Sequence, residues 1–242
     1  MNPQLLLKEG RLGEAINAAG AQLRDDPSNA RLRTFLFELL CFAGEYDRAE
    51  KHLKILGEGG NDQQVAALLY HGAIHAERTR AEMFSSGALP LAGASSTPPA
   101  GELNGQRFEE IEDADPRIGA KLEVFAAGEY MWLPFQHIRS IHMEQPKKLR
   151  DLLWAPAKIS TGPECKDFEL GEVLLPVLAP MTSANADEQV KLGRMTVWGE
   201  ADGVNVPFGQ KILLVDGEEV PILEIRALTI GPPEDGETDD LA

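Results

Sequence analysis

The sequence predicts a chain of two unlike parts: a helical N-terminal domain of the tetratricopeptide type and a β-rich, small barrel-like C-terminal domain. Three observations support this multidomain α and β architecture. A turn recurs at a fixed spacing in residues 1–84, Gly, Pro, Ser and Ala dominate residues 85–104, and short apolar runs alternate with turn signals in residues 105–230. The sequence therefore predicts a helical domain, a linker and a β-rich domain in that order, followed by a disordered acidic tail at 231–242.

The helical part contains a repeated turn. Gly10 and Gly44 lie 34 residues apart, and an alanine follows each at the same distance, Ala15 and Ala49. This period and this glycine-to-alanine spacing are typical of the second helix of a tetratricopeptide repeat. Glycine ends one helix in a left-handed conformation, and the small alanine lets two antiparallel helices approach closely. Pro27 then stops the second helix of the first copy.

The hydrophobic pattern places helices near 3–9, 13–24, 29–43, 46–57 and 62–84. These helices amount to barely two and a half repeats, fewer than the roughly three that such arrays need for stability. The open end of the array is therefore expected to dock on another surface, most simply the second domain. A generic helical bundle is the alternative to a repeat.

The second part reads as short strands joined by tight turns. Ala127-Gly128 and Asp216-Gly217 each separate two apolar runs, and Asp-Gly between such runs is a strong hairpin signal. Repeated short strands with little helix favour a small barrel or a sandwich.

Three tryptophans, Trp132, Trp154 and Trp198, stand in apolar runs of this second part. Aromatic side chains carry much of the burial in a small β domain, so we predict these three as core residues. The alternative is that they anchor a protein partner.

The composition excludes several classes of partner. The formal net charge is −16, and nearly all of the excess acid lies after residue 84. A negative field of this size disfavours nucleic acid and anionic membranes as partners. No apolar run is long enough to span a membrane, and the first residues lack the pattern of a secretory signal. Two cysteines, Cys41 and Cys165, make no disulfide framework, so we expect a cytoplasmic protein.

Few residues of the sequence suggest a catalytic or metal-binding site. His71 and His75 lie four apart on one predicted helix, a spacing that can hold a metal, but no third ligand is evident. The acidic segment 109–115 offers paired carboxylates, yet neither a nucleophile nor a phosphate loop accompanies it, and it reads as a solvated turn. We therefore predict no catalytic residue, no metal site and no cofactor. A metal-dependent hydrolase built on these residues is the weakest alternative.

Four stretches of the second part resemble one protein family. They are NGQRFEEIEDADPRIGAKLEVFAAGEYMWLPFQHI, LRDLLWAPA, LGRMTVW and FGQKILLVDGEEVPILEIRAL, which lie in matching order through most of residues 104–229. On these motifs the chain resembles the ImpE family, also called SciE or TagJ. Residues 3–84 also fit the helical part of this family.

The resemblance implies an accessory protein of the bacterial type VI secretion system that is not an enzyme. Members combine a helical, repeat-like N-terminal part with a β-rich C-terminal part. The best-studied members bind the small sheath subunit TssB through an N-terminal helix of that subunit, and they are linked to the sheath-recycling ATPase ClpV. Members commonly carry a further helical hairpin where this chain has the 85–104 linker, which shortens the helical part here.

We therefore expect a cytoplasmic adaptor that binds a TssB-like sheath subunit and has an indirect link to a ClpV-type ATPase. The alternative is a general tetratricopeptide-like scaffold of another cytoplasmic assembly. Three arginines at polar positions of the helices are the predicted partner-binding residues: Arg31, Arg33 and Arg78.

Overall fold

Five consecutive α-helices form the N-terminal part of the protein. The computed structural model describes residues 2–90, 98–162, 170–201 and 203–231. The helices are α1 (Pro3–Lys8), α2 (Leu12–Asp25), α3 (Ala30–Phe42), α4 (Tyr46–Leu56) and α5 (Asn61–Ser86). Each helix packs on the next, and the five predicted helices are confirmed with small shifts at their ends.

The repeated turn has the same geometry in both copies. Gly10 and Gly44 follow α1 and α3 with left-handed φ angles of 78° and 71°. A residue with a side chain would be strained there, which explains the glycine. Ala15 on α2 and Ala49 on α4 are fully buried. The turn and the close helix packing of a repeat are therefore both present.

The β-rich part forms one large sheet and two small ones. Its strands are β1 (Gly101–Leu103), β2 (Gln106–Phe108), β3 (Ile111–Asp113), β4 (Lys121–Ala126), β5 (Glu129–Pro134), β6 (Ile138–Met143), β7 (Trp154–Thr161), β8 (Gly171–Pro176), β9 (Val197–Ala201), β10 (Val204–Phe208), β11 (Ile212–Val215), β12 (Glu218–Pro221) and β13 (Ala227–Ile230). A short helix, α6 (Glu188–Lys191), lies between β8 and β9. The large sheet has the order β2-β1-β13-β6-β7-β8-β4-β5, and its pairs are antiparallel. The small sheets have the orders β12-β11-β3 and β10-β9.

The large sheet is open, so the expected barrel is wrong. Its edge strands, β2 and β5, do not pair with each other. β2 has only three residues, and β5 contacts α5. A short edge strand and an edge strand next to a helix are two ways in which proteins protect a sheet edge, so the sheet does not need to close.

Two hydrophobic cores lie on opposite faces of the large sheet. Along β4, Leu122 and Val124 belong to the core shared with the three-stranded sheet. Phe125 belongs to the core shared with the helices, and Glu123 on the same face bonds to Arg80 of α5. This alternation is what a strand buried on both faces requires. The helices, the large sheet and the three-stranded sheet thus form three layers, and the helical array docks on the β-rich part as predicted.

Both predicted hairpin turns are confirmed. Ala127 and Gly128 have φ angles of 52° and 86°, and Asp216 and Gly217 have φ angles of 51° and 79°. Two successive positive φ angles are the type I′ geometry, which matches the twist of two strands joined by two residues.

The first strand lies inside the segment predicted as a linker, 85–104. Gly101–Leu103 forms β1, which pairs with β2 across the Asn104-Gly105 turn and with β13 near the other end of the described chain, and local composition does not reveal the second of these contacts. The domain boundaries stay a prediction, since helices and strands share one core. Cys165 and, apart from Gly231, the predicted tail lie outside the described residues.

Candidate partner-binding surface

The β-rich part covers much of the face formed by α3 and α5. Tyr70 of α5 lies between Phe37 of α3 and Trp154 of β7, with ring centroids 6.1 Å and 5.9 Å away. The guanidinium of Arg150 sits 4.9 Å from the Tyr70 ring and 3.4 Å from the Glu38 carboxylate. A small notch of about 110 Å³ remains between α3, α4 and α5. The groove of the helical array is therefore largely filled from within the chain.

The turns of both repeats contact one segment of the β-rich part. The carboxylate of Glu188 on α6 accepts a hydrogen bond of 2.8 Å from the backbone N–H of Gly13, at the start of α2. Arg194 donates at 2.6 Å to the carbonyl of Leu7 at the end of α1. A side chain at Gly44 would collide with Ser183, so the second turn is close to the same segment. These contacts leave the repeat turns partly covered.

A glycine pair sets the distance between α5 and the large sheet. A Cβ atom at Gly72 would lie 2.9 Å from the Cα atom of Gly128, in the turn between β4 and β5. Real Cβ atoms essentially never come this close to backbone atoms. The bare backbone of Gly72 is therefore needed for the helix to meet the hairpin.

We expect Gly72→Ala to lower the free energy of unfolding by about 1–3 kcal/mol, because the added methyl group overpacks this contact. The matched control is Gly20→Ala on α2, where nothing lies within 4 Å of the new Cβ. That change should raise the free energy of unfolding by about 0.5–1 kcal/mol through helix propensity. Urea denaturation of both variants measures the difference. Equal stabilisation of both would contradict the close contact.

Charged side chains meet between α5 and the large sheet. Arg80 donates two hydrogen bonds of 2.7 Å to the Glu123 carboxylate, and Lys211 Nζ lies 2.6 Å from the same carboxylate. Lys211 also pairs with Asp113, and the Tyr130 hydroxyl donates to Glu123 at 2.6 Å. The five side chains are buried. They form one connected ion-pair cluster that joins the helices to the sheet.

The two carboxylates of the cluster differ in pKa. Burial opposes ionisation of Glu123, but Arg80 and Lys211 outweigh it and lower its pKa to about 2. Burial raises the pKa of Asp113 to about 6 against the attraction of Lys211. A carboxylate with such a low pKa and several donors is a poor general base near neutral pH. The geometry therefore favours a structural role for the cluster.

The acidic segment 109–115 is a solvated segment only in its first part, where Glu109 and Glu110 are exposed, and the prediction is wrong for its last two aspartates. Asp113 and Asp115 are 3% and 0% exposed. Asp115 pairs with Arg117 at 2.7 Å, and Asp113 pairs with Lys211. The prediction failed because Lys211, the cation that allows Asp113 to be buried, lies 98 residues away in the sequence.

The three predicted arginines have different surroundings. Arg31 is exposed on α3. Arg33 donates to the carbonyl of Pro27 between α2 and α3, and Arg78 of α5 pairs with Asp47 of α4 at 2.6 Å. Two of the three side chains therefore connect parts of the helical array. Their role in partner binding stays a prediction.

The histidine pair does not converge on a metal-like site. His71 Nδ1 lies 3.9 Å from a carboxylate oxygen of Glu50, while His75 is exposed. Among the described residues, no group of three or more His, Cys, Asp or Glu side chains could hold a metal ion. The described residues also contain no helix that is long and apolar enough to cross a membrane.

The tryptophans divide into core and surface. Trp154 is 2% exposed and Trp132 is half-buried, but Trp198 on β9 is 41% exposed. The core prediction is therefore wrong for Trp198. Trp198 and Glu200 lie on the exposed face of the two-stranded sheet of β9 and β10.

A second exposed apolar surface lies on the first half of α5, and we call it the outer face of α5. It consists of Val65, Leu68 and Leu69, which are 69%, 75% and 50% exposed. Spacings of three and four residues place these side chains on one side of a helix. These residues are not among the predicted binding residues, although an apolar stripe of this spacing on the last helix of an incomplete array is a signal that the sequence contains.

Comparison with known proteins shows the family of the chain. A tetratricopeptide repeat model matches residues 6–70, and the ImpE protein family model matches residues 105–229. The type VI secretion system accessory component TagJ of Pseudomonas aeruginosa is 31% identical over 262 residues, covering 95% of this chain and 91% of the relative. The chain belongs to the ImpE family.

A solved structure shares the fold of this ImpE-family chain. The crystal structure of a Vibrio parahaemolyticus protein superposes with a TM-score of 0.84 at 21% identity, covering 96% of this chain and 98% of that one. The arrangement of a helical array on an open, strand-rich part is therefore found in a second protein.

Proposed function

We propose that this ImpE-family protein is a non-catalytic, cytoplasmic accessory component of a bacterial type VI secretion system. It acts as an adaptor that binds a TssB-like small subunit of the contractile sheath and is linked to sheath handling by a ClpV-type ATPase. The observation that carries the proposal is the 31% identity to TagJ over 95% of the chain.

The geometry supports a binding role for the protein. Helical-repeat proteins commonly recognise partners through exposed helix faces, and an amphipathic helix is a frequent ligand of such faces. The outer face of α5 offers an apolar surface of this kind. The buried ion-pair cluster, in contrast, uses its charged groups on one another, which supports a non-catalytic reading.

Co-purification of the small sheath subunit with the full chain tests the proposal. We expect a complex that survives gel filtration, and we expect deletion of the N-terminal helix of the sheath subunit to abolish it. The full chain is used because the helices share a core with the sheet. A mixture that elutes as two separate proteins would overturn the sheath-binding proposal.

The tetratricopeptide match favours a second candidate, a general scaffold of another cytoplasmic assembly. The neighbouring genes discriminate between the two functions. Type VI secretion genes beside this one support the adaptor, and an unrelated operon supports the scaffold.

A further inference from the structure

The helical array stops halfway through a repeat. α1 with α2 and α3 with α4 form two helix pairs, whose turns share the glycine and alanine positions described above. α5 follows as the first helix of a third pair, and the residues that the structure describes between α5 and β1, 87–90 and 98–100, contain no second helix. In a complete array each helix pair packs on its neighbours. The missing second helix therefore leaves part of α5 without a neighbour.

The outer face of α5 continues an interface that already exists within the chain. Val65, Leu68, Leu69, Gly72 and Ala76 follow the spacing of one helix side. From Gly72 onward this side is covered, because Gly72 contacts the hairpin turn and Ala76 is fully buried. The first three residues carry the same apolar side beyond the edge of the β-rich part. The apolar stripe is thus half covered and half open.

The size of the open half favours a single helix over a second copy of the protein. One partner of a stable protein complex buries about 800 Å². Even an aromatic side chain buries only about 150–250 Å², so three partly exposed aliphatic side chains supply far less than a dimer needs. A helix that packs through residues three and four apart matches a stripe of this width.

The charges beside the open half indicate which helix fits. Asp62 is exposed in the first turn of α5, three residues before Val65, and Glu58 is exposed in the turn that precedes α5. An incoming helix with basic residues beside its apolar stripe is attracted by these two carboxylates and satisfies the acidic end of the surface.

We propose that the outer face of α5 receives an amphipathic helix of the sheath subunit, with basic residues beside its apolar stripe, in the place of the missing second helix of the third repeat. This inference rests on the proposed function, because it assigns the surface that the adaptor uses. It places binding on the outside of the last helix rather than in the groove that Trp154 and Arg150 already occupy.

Isothermal titration of the purified small sheath subunit into the full chain tests the inference, with Leu68→Asp as the variant. We expect the affinity to fall at least about tenfold, since a charge would be buried in an apolar contact. Leu5→Asp is the matched control, because Leu5 is a 54% exposed leucine on α1, at the opposite end of the array. The control should bind within about threefold of the unchanged protein. Leu68→Ser, which adds no charge, should give a smaller loss than Leu68→Asp.

The outcomes distinguish a wrong surface assignment from a wrong proposed function. If the unchanged protein binds the subunit and Leu68→Asp binds as tightly, the surface assignment is wrong while the proposed function stands. If the unchanged protein does not bind, the proposed function fails and the surface assignment fails with it. If Leu68→Asp instead dissociates a dimer seen by sedimentation and leaves sheath binding intact, a second copy occupies the outer face of α5 and the inference is overturned.

Hydrogen exchange gives a second readout, since the bound sheath subunit should protect the backbone amides of residues 61–69 from exchange.

Discussion

Glu123→Gln is expected to lower the free energy of unfolding by about 3–5 kcal/mol, because it removes the anion that Arg80 and Lys211 share. Glutamine keeps the shape of the side chain but carries no charge, and its amide group is directed at cations. Two buried cations then remain with too little negative charge around them. The penalty is that of unpaired buried charge, which exceeds the energy of a lost surface contact.

A matched exposed pair provides the control for Glu123→Gln. Lys158 and Glu172 lie 3.8 Å apart on neighbouring strands with side chains 73% and 84% exposed. Glu172→Gln should change the free energy of unfolding by less than about 1 kcal/mol, because water screens an exposed pair. Guanidinium denaturation of both variants measures the contrast. Similar small losses would mean that the cluster is hydrated in solution.

A double-mutant cycle separates the charge effect from packing. Arg80→Met combined with Glu123→Leu removes a cation and an anion together, while Lys211 keeps Asp113 as its partner. We expect the double variant to be more stable than the sum of the two single changes predicts, by at least about 1 kcal/mol. Strict additivity would show that Arg80 and Glu123 do not stabilise the protein as a pair.

Features set by local sequence could be predicted. Helix bounds follow from the periodicity of nearby residues, and the left-handed positions at Gly10 and Gly44 require a specific residue type. The hairpin turns at Gly128 and Gly217 are of the same kind. Each of these depends on a few adjacent residues, so the pattern in the sequence is nearly the whole cause.

Features set by distant residues could not be predicted. β1 lies in the predicted linker, and one of its two partner strands, β13, comes more than 120 residues later. The acidic segment looked solvated because Lys211 is remote from Asp113 in the sequence. The open sheet has the same origin, since strand order depends on long-range pairing that short apolar runs do not specify.

The outer face of α5 could be predicted only in part. The incomplete repeat predicted an open end, and the structure places α5 there with its second half covered by the sheet. Which residues stay open depends on where the β-rich part stops, at the contact of Gly72 with Gly128. Arg33 and Arg78 are predicted to bind a partner only because they occupy polar positions on the helices, but both side chains have partners within the array. Exposure of apolar residues is the more informative signal for a binding surface.

Trp154→Ala is expected to lower the free energy of unfolding by about 3–5 kcal/mol, because it empties a large site between helices and sheet. The side chain is 2% exposed and stacks on Tyr70, with ring planes 26° apart. Its Nε1 donates to the Glu77 carboxylate at 3.1 Å. Burial raises the pKa of Glu77, against the attraction of Arg80. Removing the indole therefore also takes a donor from a buried carboxyl group.

Two further variants divide this loss into its parts. Trp154→Phe keeps a ring against Tyr70 but removes the N–H, so it should cost about 1.5–3 kcal/mol, the range for a hydrogen bond to a charged group. Trp198→Ala is the control at an exposed tryptophan and should cost less than about 1 kcal/mol. Equal losses for Trp154→Ala and Trp198→Ala would contradict the buried position of Trp154.

Trp154→Ala also tests whether the helices and the large sheet unfold together. Trp154 belongs to the core that both parts share, so the unchanged protein should show coincident transitions by far-UV circular dichroism and by tryptophan fluorescence. Trp154→Ala weakens the contacts between the two layers without touching a repeat turn. We expect the two transitions to separate, with the helical array losing structure first, because its two and a half repeats depend on the sheet for a neighbour. Transitions that still coincide would show that other contacts, among them the Arg80–Glu123 pair, are sufficient to couple the two layers.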